Sequence, residues 1–413
     1  MAELYKAVEN KCKKEKGCDL QEFNQMQAEK ARRFHRSIPG YAPTPLQALD
    51  QLAKHIGVDQ LLLKDESYRF GLNAFKVLGG SYAIANCIAA RANEKLDDLS
   101  FAALVSDKIL KKTGKLTFVT ATDGNHGRGV AWTANQLQQK SVIYMPEGSE
   151  PERLENIRKE GAEASITELN YDDAVRLAND MAKEKGWIMV QDTAWKGYEN
   201  IPRWIMQGYM TMALEVYEQL EEIKRQKPTH IFLQAGVGSY AGAVAGFFAS
   251  AYGADCPIIT IVESSAADCL YRTAKAADGK LHFVKGHMNT IMAGLACGEP
   301  NTISWEILRD YADCFVSCPD YMSANAMRVL GNPLTGDPHI ISGESGAAGM
   351  GLVFEVMTDP QLSELKKQLR LDHNSRVLVF NTEGDTAKKH YRSIVWNGQC
   401  AKENEYADTR KNN

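Results

Sequence analysis

Residues 116–191 alternate short apolar segments with segments of helical pattern, and this alternation constrains the fold more than any other feature. Strands are predicted at 116–121, 141–145, 164–168 and 187–191, and helices between them at 125–138, 151–160 and 171–185. Short apolar strands joined by helices pair in parallel, and a parallel sheet carries helices on both faces. The stretch therefore predicts an open α/β sheet.

A second run of the same kind occupies the later part of the chain. It has a long helical region at 202–226, strands at 230–234, 257–262 and 376–381, and a helix of small residues at 240–252. Upstream, 46–56 has the pattern of a helix and 60–66 that of a short buried strand. A chain of 413 residues exceeds a single hydrophobic core. We therefore expect two α/β domains that bind ligands where the carboxyl ends of their strands meet.

Charge and composition exclude several classes of function. The formal net charge of -4 gives no signature of polyanion binding, so nucleic acid is not an expected partner. No apolar run reaches the length of a membrane span, and residues 1–24 are too polar for a secretory signal. The nine cysteines are scattered and odd in number, which is typical of a reducing compartment and predicts a cytoplasmic protein.

The cysteines do not predict a metal site. Cys314 and Cys318 share a segment, but no second pair or histidine cluster accompanies them. Cys269 and Cys297 are expected to be accessible at the surface, and the sequence leaves open whether they form a bridge under oxidation.

Lys76 is the first candidate for chemistry. It follows a turn-like Gly-Leu-Asn at 71–73, and Asn73 is a good N-cap residue, so a helix is predicted over 74–90 with Lys76 in its first turn. The helix dipole disfavours a cation there and makes the amine easier to deprotonate. Such a lysine is a candidate Schiff-base nucleophile. The alternative is a lysine on a solvated helix face.

A glycine-containing turn follows the strand at 230–234. It consists of Gly236, Val237, Gly238, Ser239 and Tyr240. The glycines allow backbone N–H groups to converge on an anion at a helix N-terminus. The turn has neither the dinucleotide spacing nor the Lys-Ser/Thr of a P-loop. It is therefore either a phosphate site or a plain tight turn.

Three further polar turns follow predicted strands. The residues involved are Thr122, Asp123, Gly124, Asn125 and His126 in the first turn, Asp192 in the second and Thr382 in the third. The first turn also fits a capped helix start, and Asp192 also fits an ordinary turn residue. Because all of these turns can face one cleft, together they favour a small-molecule site.

In this order the motifs resemble the fold-type II pyridoxal phosphate enzymes, the group of tryptophan synthase β-subunit and threonine dehydratase, from Pro45 to Thr386. By this resemblance Lys76 forms the Schiff base with the cofactor, and the turn at 236–240 is the phosphate cup, with fewer glycines than usual. The loop at 122–126 holds the substrate carboxylate and places Asn125 beside the 3′-oxygen of the cofactor. Thr382 lies against the pyridine nitrogen.

The resemblance also implies the architecture of a fold-type II enzyme that binds pyridoxal 5′-phosphate. Residues 1–80 and 196–413 would form the large cofactor-binding domain and 81–195 a smaller, mobile α/β domain. Each domain would have an open, mostly parallel sheet flanked by helices, with the active site in the cleft between them. The resemblance implies a homodimer.

The aspartate at position 123 separates this chain from the dehydratases, which usually have a small uncharged residue there. A second anion beside the substrate carboxylate would repel it unless the substrate also carries a cation. A β-ammonium group supplies that cation. Together with the stretches 73–80, 121–129, 191–198 and 381–385, Asp123 makes the chain similar to the diaminopropionate ammonia-lyases. The alternative is that Asp123 only caps the helix and faces away.

This similarity implies a carbon–nitrogen lyase that eliminates ammonia from D- and L-2,3-diaminopropionate. The products would be pyruvate and two ammonia, formed through aminoacrylate. Removal of the α-proton would fall to Lys76 on one face and to an aspartate on the other, with Asp123 serving the D-substrate and Asp192 assisting with the L-substrate. The alternatives are a serine/threonine dehydratase or β-replacing synthase of the same fold, and an amino-acid sensor without the Schiff base. An NAD-binding enzyme is disfavoured because the dinucleotide fingerprint is missing.

Overall fold

The computed structural model describes residues 4–122 and 124–402. Two sheets organise it. The strands are β1 (Lys6–Glu9), β2 (Leu46–Ala48), β3 (Gln60–Asp65), β4 (Thr117–Ala121), β5 (Lys140–Met145), β6 (Glu163–Ile166), β7 (Ile188–Met189), β8 (His230–Gln234), β9 (Ile258–Ser264), β10 (Cys314–Cys318) and β11 (Arg376–Asn381). The seven-stranded sheet has the order β1-β10-β9-β8-β11-β3-β2, and the four-stranded sheet has the order β6-β5-β4-β7.

Helices connect and cover the strands. They are α1 (Gln25–Arg36), α2 (Asp50–Ile56), α3 (Val77–Arg91), α4 (Phe101–Leu104), α5 (Asp107–Thr113), α6 (Asn125–Gln136), α7 (Pro151–Lys159), α8 (Tyr171–Lys185), α9 (Asn200–Glu222), α10 (Ser239–Tyr252), α11 (Cys269–Ala276), α12 (Thr302–Tyr311), α13 (Asp320–Gly331), α14 (Ala348–Thr358), α15 (Ser363–Gln368) and α16 (Lys388–Val395). In the part of the chain that is described, no helix is long and apolar enough to cross a membrane.

The predicted fold class is confirmed: both sheets are open, α/β and mostly parallel. All pairings in the four-stranded sheet are parallel, and so are those among the inner strands of the larger sheet. Among the strands of the described residues, only the two edge strands, β1 and β2, pair antiparallel. The division into 1–80 with 196–413 and 81–195 stays a prediction.

The prediction of one helix over 46–56 is wrong. Leu46 pairs with Lys64 in the antiparallel β2–β3 ladder, and the helix α2 begins only at Asp50. Pro43 and Pro45 keep the entering chain extended, which favours a short edge strand over a helix at this point. The strand β10 and the edge strand β1 were not predicted, although the buried Cys-Phe-Val-Ser-Cys run of β10 has strand composition.

Close helix packing fixes the start of α3 inside the molecule. Helix α3 packs between α6 and α9. At the crossing with α9, a Cβ atom on Gly208 would lie 2.3 Å from the carbonyl oxygen of Leu78, so only glycine allows this approach. The first turn of α3 is therefore held in place by a neighbouring backbone.

A buried network of charges fixes the segment between β3 and α3. Arg69 donates to both carboxylate oxygens of Glu66 and to both of Glu215, at 2.7 to 2.9 Å, and Lys64 lies 2.7 Å from Glu215. All four side chains are at most 1% exposed. Buried charges persist only when they are paired and hydrogen-bonded, so the network determines the path of this segment.

Candidate active site

A cavity lies where the carboxyl ends of both sheets meet. Its walls contain nearly all the predicted site residues: Lys76, Thr122, Asn125, His126, Asp192, Gly236, Val237, Gly238, Ser239, Tyr240 and Thr382. The other wall residues include Phe75, Tyr171, Gln234, Ser345 and Glu383. Asp123 lies outside the described residues. Gly124 does not line the cavity.

Lys76 lies at the start of α3, immediately before its first helical residue. The prediction that Asn73 caps this helix is wrong, because Asn73 adopts a left-handed backbone with φ 61° and the helix begins at Val77. The Asn73 amide instead donates to Asp385 Oδ1 at 3.0 Å. Lys76 Nζ donates to Asp192 Oδ2, and its side chain is 20% exposed, so it is a cavity residue rather than a lysine on a solvated face.

Asp192 is a buried carboxylate that lies beside Lys76 and His126. Burial opposes its ionisation, but the charges of Lys76 and His126 and the hydrogen bond from Lys76 outweigh burial and lower the pKa of Asp192 to about 2. His126 Nδ1 lies 3.9 Å from Asp192 Oδ2, and the other ring nitrogen of His126 bonds to the Val190 carbonyl at 2.7 Å. Asp192 is therefore the counter-ion of Lys76.

The side chain of Thr122 stabilises the loop after β4 by hydrogen bonds to the loop backbone. Thr122 Oγ1 accepts from the backbone nitrogens of Gly124 at 2.9 Å and Gly127 at 3.1 Å. The amide of Gly124, expected to face a substrate, is thus bonded within the loop. Asn125 begins α6, and its side-chain Nδ2 donates to Glu383 Oε2 across the cavity.

The glycine turn after β8 forms the N-terminus of α10. Gly238 has φ +96° and a Cβ there would lie 2.8 Å from Ser304 Oγ, so no other residue fits without strain. The first N–H groups of a helix have no partner within it and therefore face the end of the helix. Ser239 Oγ donates to the Asp192 carbonyl, which joins this turn to the lysine's counter-ion.

Thr382 is oriented by a buried glutamine. Gln234 Nε2 donates to Thr382 Oγ1 at 3.0 Å and to the Phe380 carbonyl at 2.9 Å. Thr382 Oγ1 already accepts a hydrogen bond from Gln234. The hydroxyl hydrogen of Thr382 is therefore available for donation to another group.

Gln234, Glu383, Ser345 and Tyr171 were missed as site residues. The sequence carried a signal for Glu383, since it lies in the polar turn after a late strand. Ser345 and Tyr171 reach the cavity only through tertiary packing. The expectation that Cys269 and Cys297 are surface-accessible is wrong, because they are 0% and 8% exposed, and both are free thiols.

The residues present fit pyridoxal phosphate. The N–H groups at the start of α10 suit a phosphate, and Thr382 can donate to a ring nitrogen. Tyr240, a residue of the cavity wall, has a buried hydroxyl with no hydrogen-bond partner among the described residues. No group of three or more metal-ligating side chains occurs within 4–122 and 124–402.

Comparison with known proteins gives one consistent result. The family model of the pyridoxal-phosphate dependent enzymes matches residues 38–383. A diaminopropionate ammonia-lyase of Salmonella typhimurium is 54% identical over 369 residues, covering 89% of this chain and 91% of that protein. Diaminopropionate ammonia lyase of Escherichia coli in complex with D-serine superposes with a TM-score of 0.90 at 50% identity, covering 96% and 98%. The same enzyme with an aminoacrylate–PLP azomethine reaction intermediate gives 0.88 at the same identity and coverage. This chain belongs to the pyridoxal-phosphate dependent enzymes and, among them, to the diaminopropionate ammonia-lyases.

Proposed function

We propose that the protein eliminates ammonia from D- and L-2,3-diaminopropionate with pyridoxal 5′-phosphate, giving pyruvate and two ammonia through aminoacrylate. The observation that carries this function is the Lys76–Asp192 pair in a cavity bounded by the glycine turn at 236–240. The related enzymes are diaminopropionate ammonia-lyases, which supports this substrate. One of them has been solved with an aminoacrylate intermediate, which supports this reaction route. The same relatives disfavour a serine/threonine dehydratase.

The cofactor, when bound, supplies an electron sink for the α-carbon of the substrate. The N–H groups of the 236–240 turn, that of Ser239 among them, would hold its phosphate, since the Ser239 hydroxyl already donates to the Asp192 carbonyl. Thr382 would donate a hydrogen bond to the ring nitrogen without protonating it, because a threonine hydroxyl is neutral and its oxygen already accepts from Gln234. Thr122, His126 and the backbone N–H of Asn125 would bind the substrate carboxylate, and the side chain of Asn125 would lie beside the 3′-oxygen of the cofactor.

In this proposal, Lys76 and Asp192 take part in removing the α-proton of the L-substrate. The low pKa of Asp192 depends on the positive charges of Lys76 and His126. Once the Lys76 amine is neutral, its charge no longer offsets the effect of burial on Asp192. The pKa of Asp192 then rises, so Asp192 becomes a better proton acceptor. Asp123 is proposed to do the corresponding work for the D-substrate.

The test is a pyruvate assay on D- and L-diaminopropionate together with the ultraviolet–visible spectrum of the same sample. We expect a yellow protein, pyruvate from both enantiomers, and loss of the covalent cofactor link in Lys76→Ala. Serine serves as the comparison substrate. Faster pyruvate release from serine than from diaminopropionate would identify a dehydratase instead.

The remaining proposals concern assembly and location. The protein is proposed to be a cytoplasmic homodimer whose smaller domain, 81–195, moves against the rest of the chain. Light scattering after size exclusion tests the dimer, and a mass of one chain across micromolar concentrations would contradict it. Fractionation of the source cells tests the location.

A further inference from the structure

Glu383 is a buried carboxylate in the cavity wall that the proposed chemistry does not use. It directly follows Thr382 and is 1% exposed. Its Oε1 accepts from the backbone nitrogen of Ser345 at 3.0 Å, and its Oε2 accepts from Asn125 Nδ2. One carboxylate thus joins the loop after β4 of the four-stranded sheet to a segment beside the seven-stranded sheet.

The backbone of Glu383 is tied to the segment that leads to Lys76. Ala74 and Glu383 form an antiparallel bridge, and Gly384 N donates to the Asn73 carbonyl at 3.0 Å. Phe75 N donates to the Thr382 carbonyl at 3.2 Å. The position of Glu383 is therefore coupled to that of the lysine.

Two glycines make the space in which Glu383 lies. A Cβ atom on Gly343 would lie 2.9 Å from Glu383 Cγ, and one on Gly346 would lie 2.7 Å from the Glu383 carbonyl oxygen. Gly343 N also donates to that carbonyl at 2.8 Å. The segment on either side of Ser345 is therefore shaped to the glutamate, which leaves its side chain little freedom.

The chemistry of a carboxylate decides how Asn125 is oriented. Both side-chain oxygens of Glu383 accept hydrogen bonds, whereas an asparagine amide has one donating and one accepting end. The nitrogen of Asn125 must therefore face Glu383. One amide hydrogen is used on Glu383, and the other remains for a ligand in the cavity.

We propose that Glu383 is a positioning residue for the elimination. It fixes the amide of Asn125 as a donor toward the cofactor and holds the loop after β4 against the larger half of the molecule. The proposal rests on the proposed function. A glutamine at 383 can donate as well as accept, so it no longer dictates which end of Asn125 faces the cavity.

The competing role is recognition of the substrate's β-ammonium group by the charge of Glu383. The two roles differ in their ligand dependence. A positioning residue affects every ligand of the site and the cofactor itself, whereas a β-ammonium partner affects only ligands that carry that group. D-serine, which has a hydroxyl there, separates them.

The experiment compares Glu383→Gln with a matched control, Glu355→Gln. Glu355 is also buried at 3% and accepts from an asparagine amide, Asn325 Nδ2, at 2.7 Å, but it does not line the cavity. The readouts are the dissociation constant for pyridoxal phosphate, the absorption spectrum of the holoenzyme, the dissociation constant for D-serine, and kcat and KM for diaminopropionate.

For Glu383→Gln we expect weaker cofactor binding by about 10- to 100-fold, the range of a lost charge-assisted hydrogen bond. The absorption band should shift, D-serine and diaminopropionate should lose affinity by the same factor, and Glu355→Gln should match the wild type. A rise confined to KM for diaminopropionate, with an unchanged spectrum, would overturn the proposal in favour of charge recognition.

Variants at Asn125 test whether Glu383 acts through it, even if Glu383→Gln alone is poorly folded. In an Asn125→Ala background, Glu383→Gln should add no further loss of cofactor affinity. Asn125→Asp places two carboxylates together and should be worse than Asn125→Ala, and Glu383→Gln should restore part of the loss. Additive losses would contradict the proposal. Absence of pyruvate from the wild type would instead count against the proposed function, since cofactor affinity and spectrum do not depend on turnover.

Discussion

At the scale of single residues, the pair of Asp192 and Lys76 leads to the first prediction. Asp192 pairs with Lys76, and its pKa of about 2 keeps it ionised at neutral pH. Asp192→Asn removes the charge but keeps the shape. We expect turnover of L-diaminopropionate to fall by about 100-fold or more, the usual contribution of a positioned acid or base, and turnover of the D-substrate to fall less. Steady-state kinetics on both enantiomers measures this. Equal losses would contradict the proposed division of roles between Asp192 and Asp123.

Gly238 gives a second prediction at the same scale. Gly238→Ala introduces both a left-handed alanine and a contact with Ser304 Oγ, so we expect it to cost roughly 2 to 4 kcal/mol of stability and to weaken cofactor binding. Gly57→Ala is the control, because Gly57 has φ +77° with nothing within 4 Å of a Cβ. It should cost about 1 kcal/mol and leave cofactor affinity unchanged. Thermal unfolding and cofactor titration measure both variants. Equal cofactor affinity in the two would mean that the turn tolerates a side chain.

At the scale of elements, the sequence predicts best where periodicity and burial agree. The helix α8 and the strands β8 and β11 were predicted at their observed bounds, because each is a regular apolar pattern between clear turn residues. The start of α3 was misplaced, since tertiary contacts of Asn73 with Asp385 override its capping preference. The residues of the candidate site that lie on turns after strands could be predicted. Gln234 and Ser345 could not be predicted, because their roles depend on contacts between segments that are distant in the sequence.

The junction of α1, α3 and α9 leads to a prediction about pH. His35 of α1 is fully buried between Thr211 Oγ1 at 2.8 Å and the Leu78 carbonyl at 2.9 Å. Burial, with the charge of Arg69, lowers its pKa from 6.5 to about 3. Between these values the unfolded chain binds a proton that the folded chain does not, so His35 reduces stability as pH falls from 6.5 toward 3.

His35→Gln removes this titration. We expect the variant to be less stable at pH 7 because packing and a hydrogen bond are altered, but its melting temperature should fall less between pH 6.5 and 4 than that of the wild type. Thermal unfolding of both proteins across this range provides the measurement. Parallel pH profiles would show that His35 does not contribute to the acid sensitivity.

At the scale of the whole molecule, the cavity is shared between the two sheets. Thr122, Asn125 and Asp192 follow strands of the four-stranded sheet, whereas the 236–240 turn and Thr382 follow strands of the seven-stranded sheet. A ligand that contacts both sides stabilises only the conformation in which they are together. The two halves should therefore be less tightly coupled in the apoenzyme than in the holoenzyme.

Hydrogen exchange with and without pyridoxal phosphate tests this coupling. In the apoenzyme we expect peptides from β4 to β7 to exchange faster than those from β8, β9 and β11, since the core cluster on one face of the smaller sheet has only a few buried apolar side chains. The cofactor should slow exchange at 120–127 and 234–242 together, and Glu383→Gln should reduce the protection at 120–127 in particular, because Asn125 then loses its fixed partner across the cavity. Protection limited to 234–242 would mean that the larger half binds the cofactor without drawing in the loop after β4.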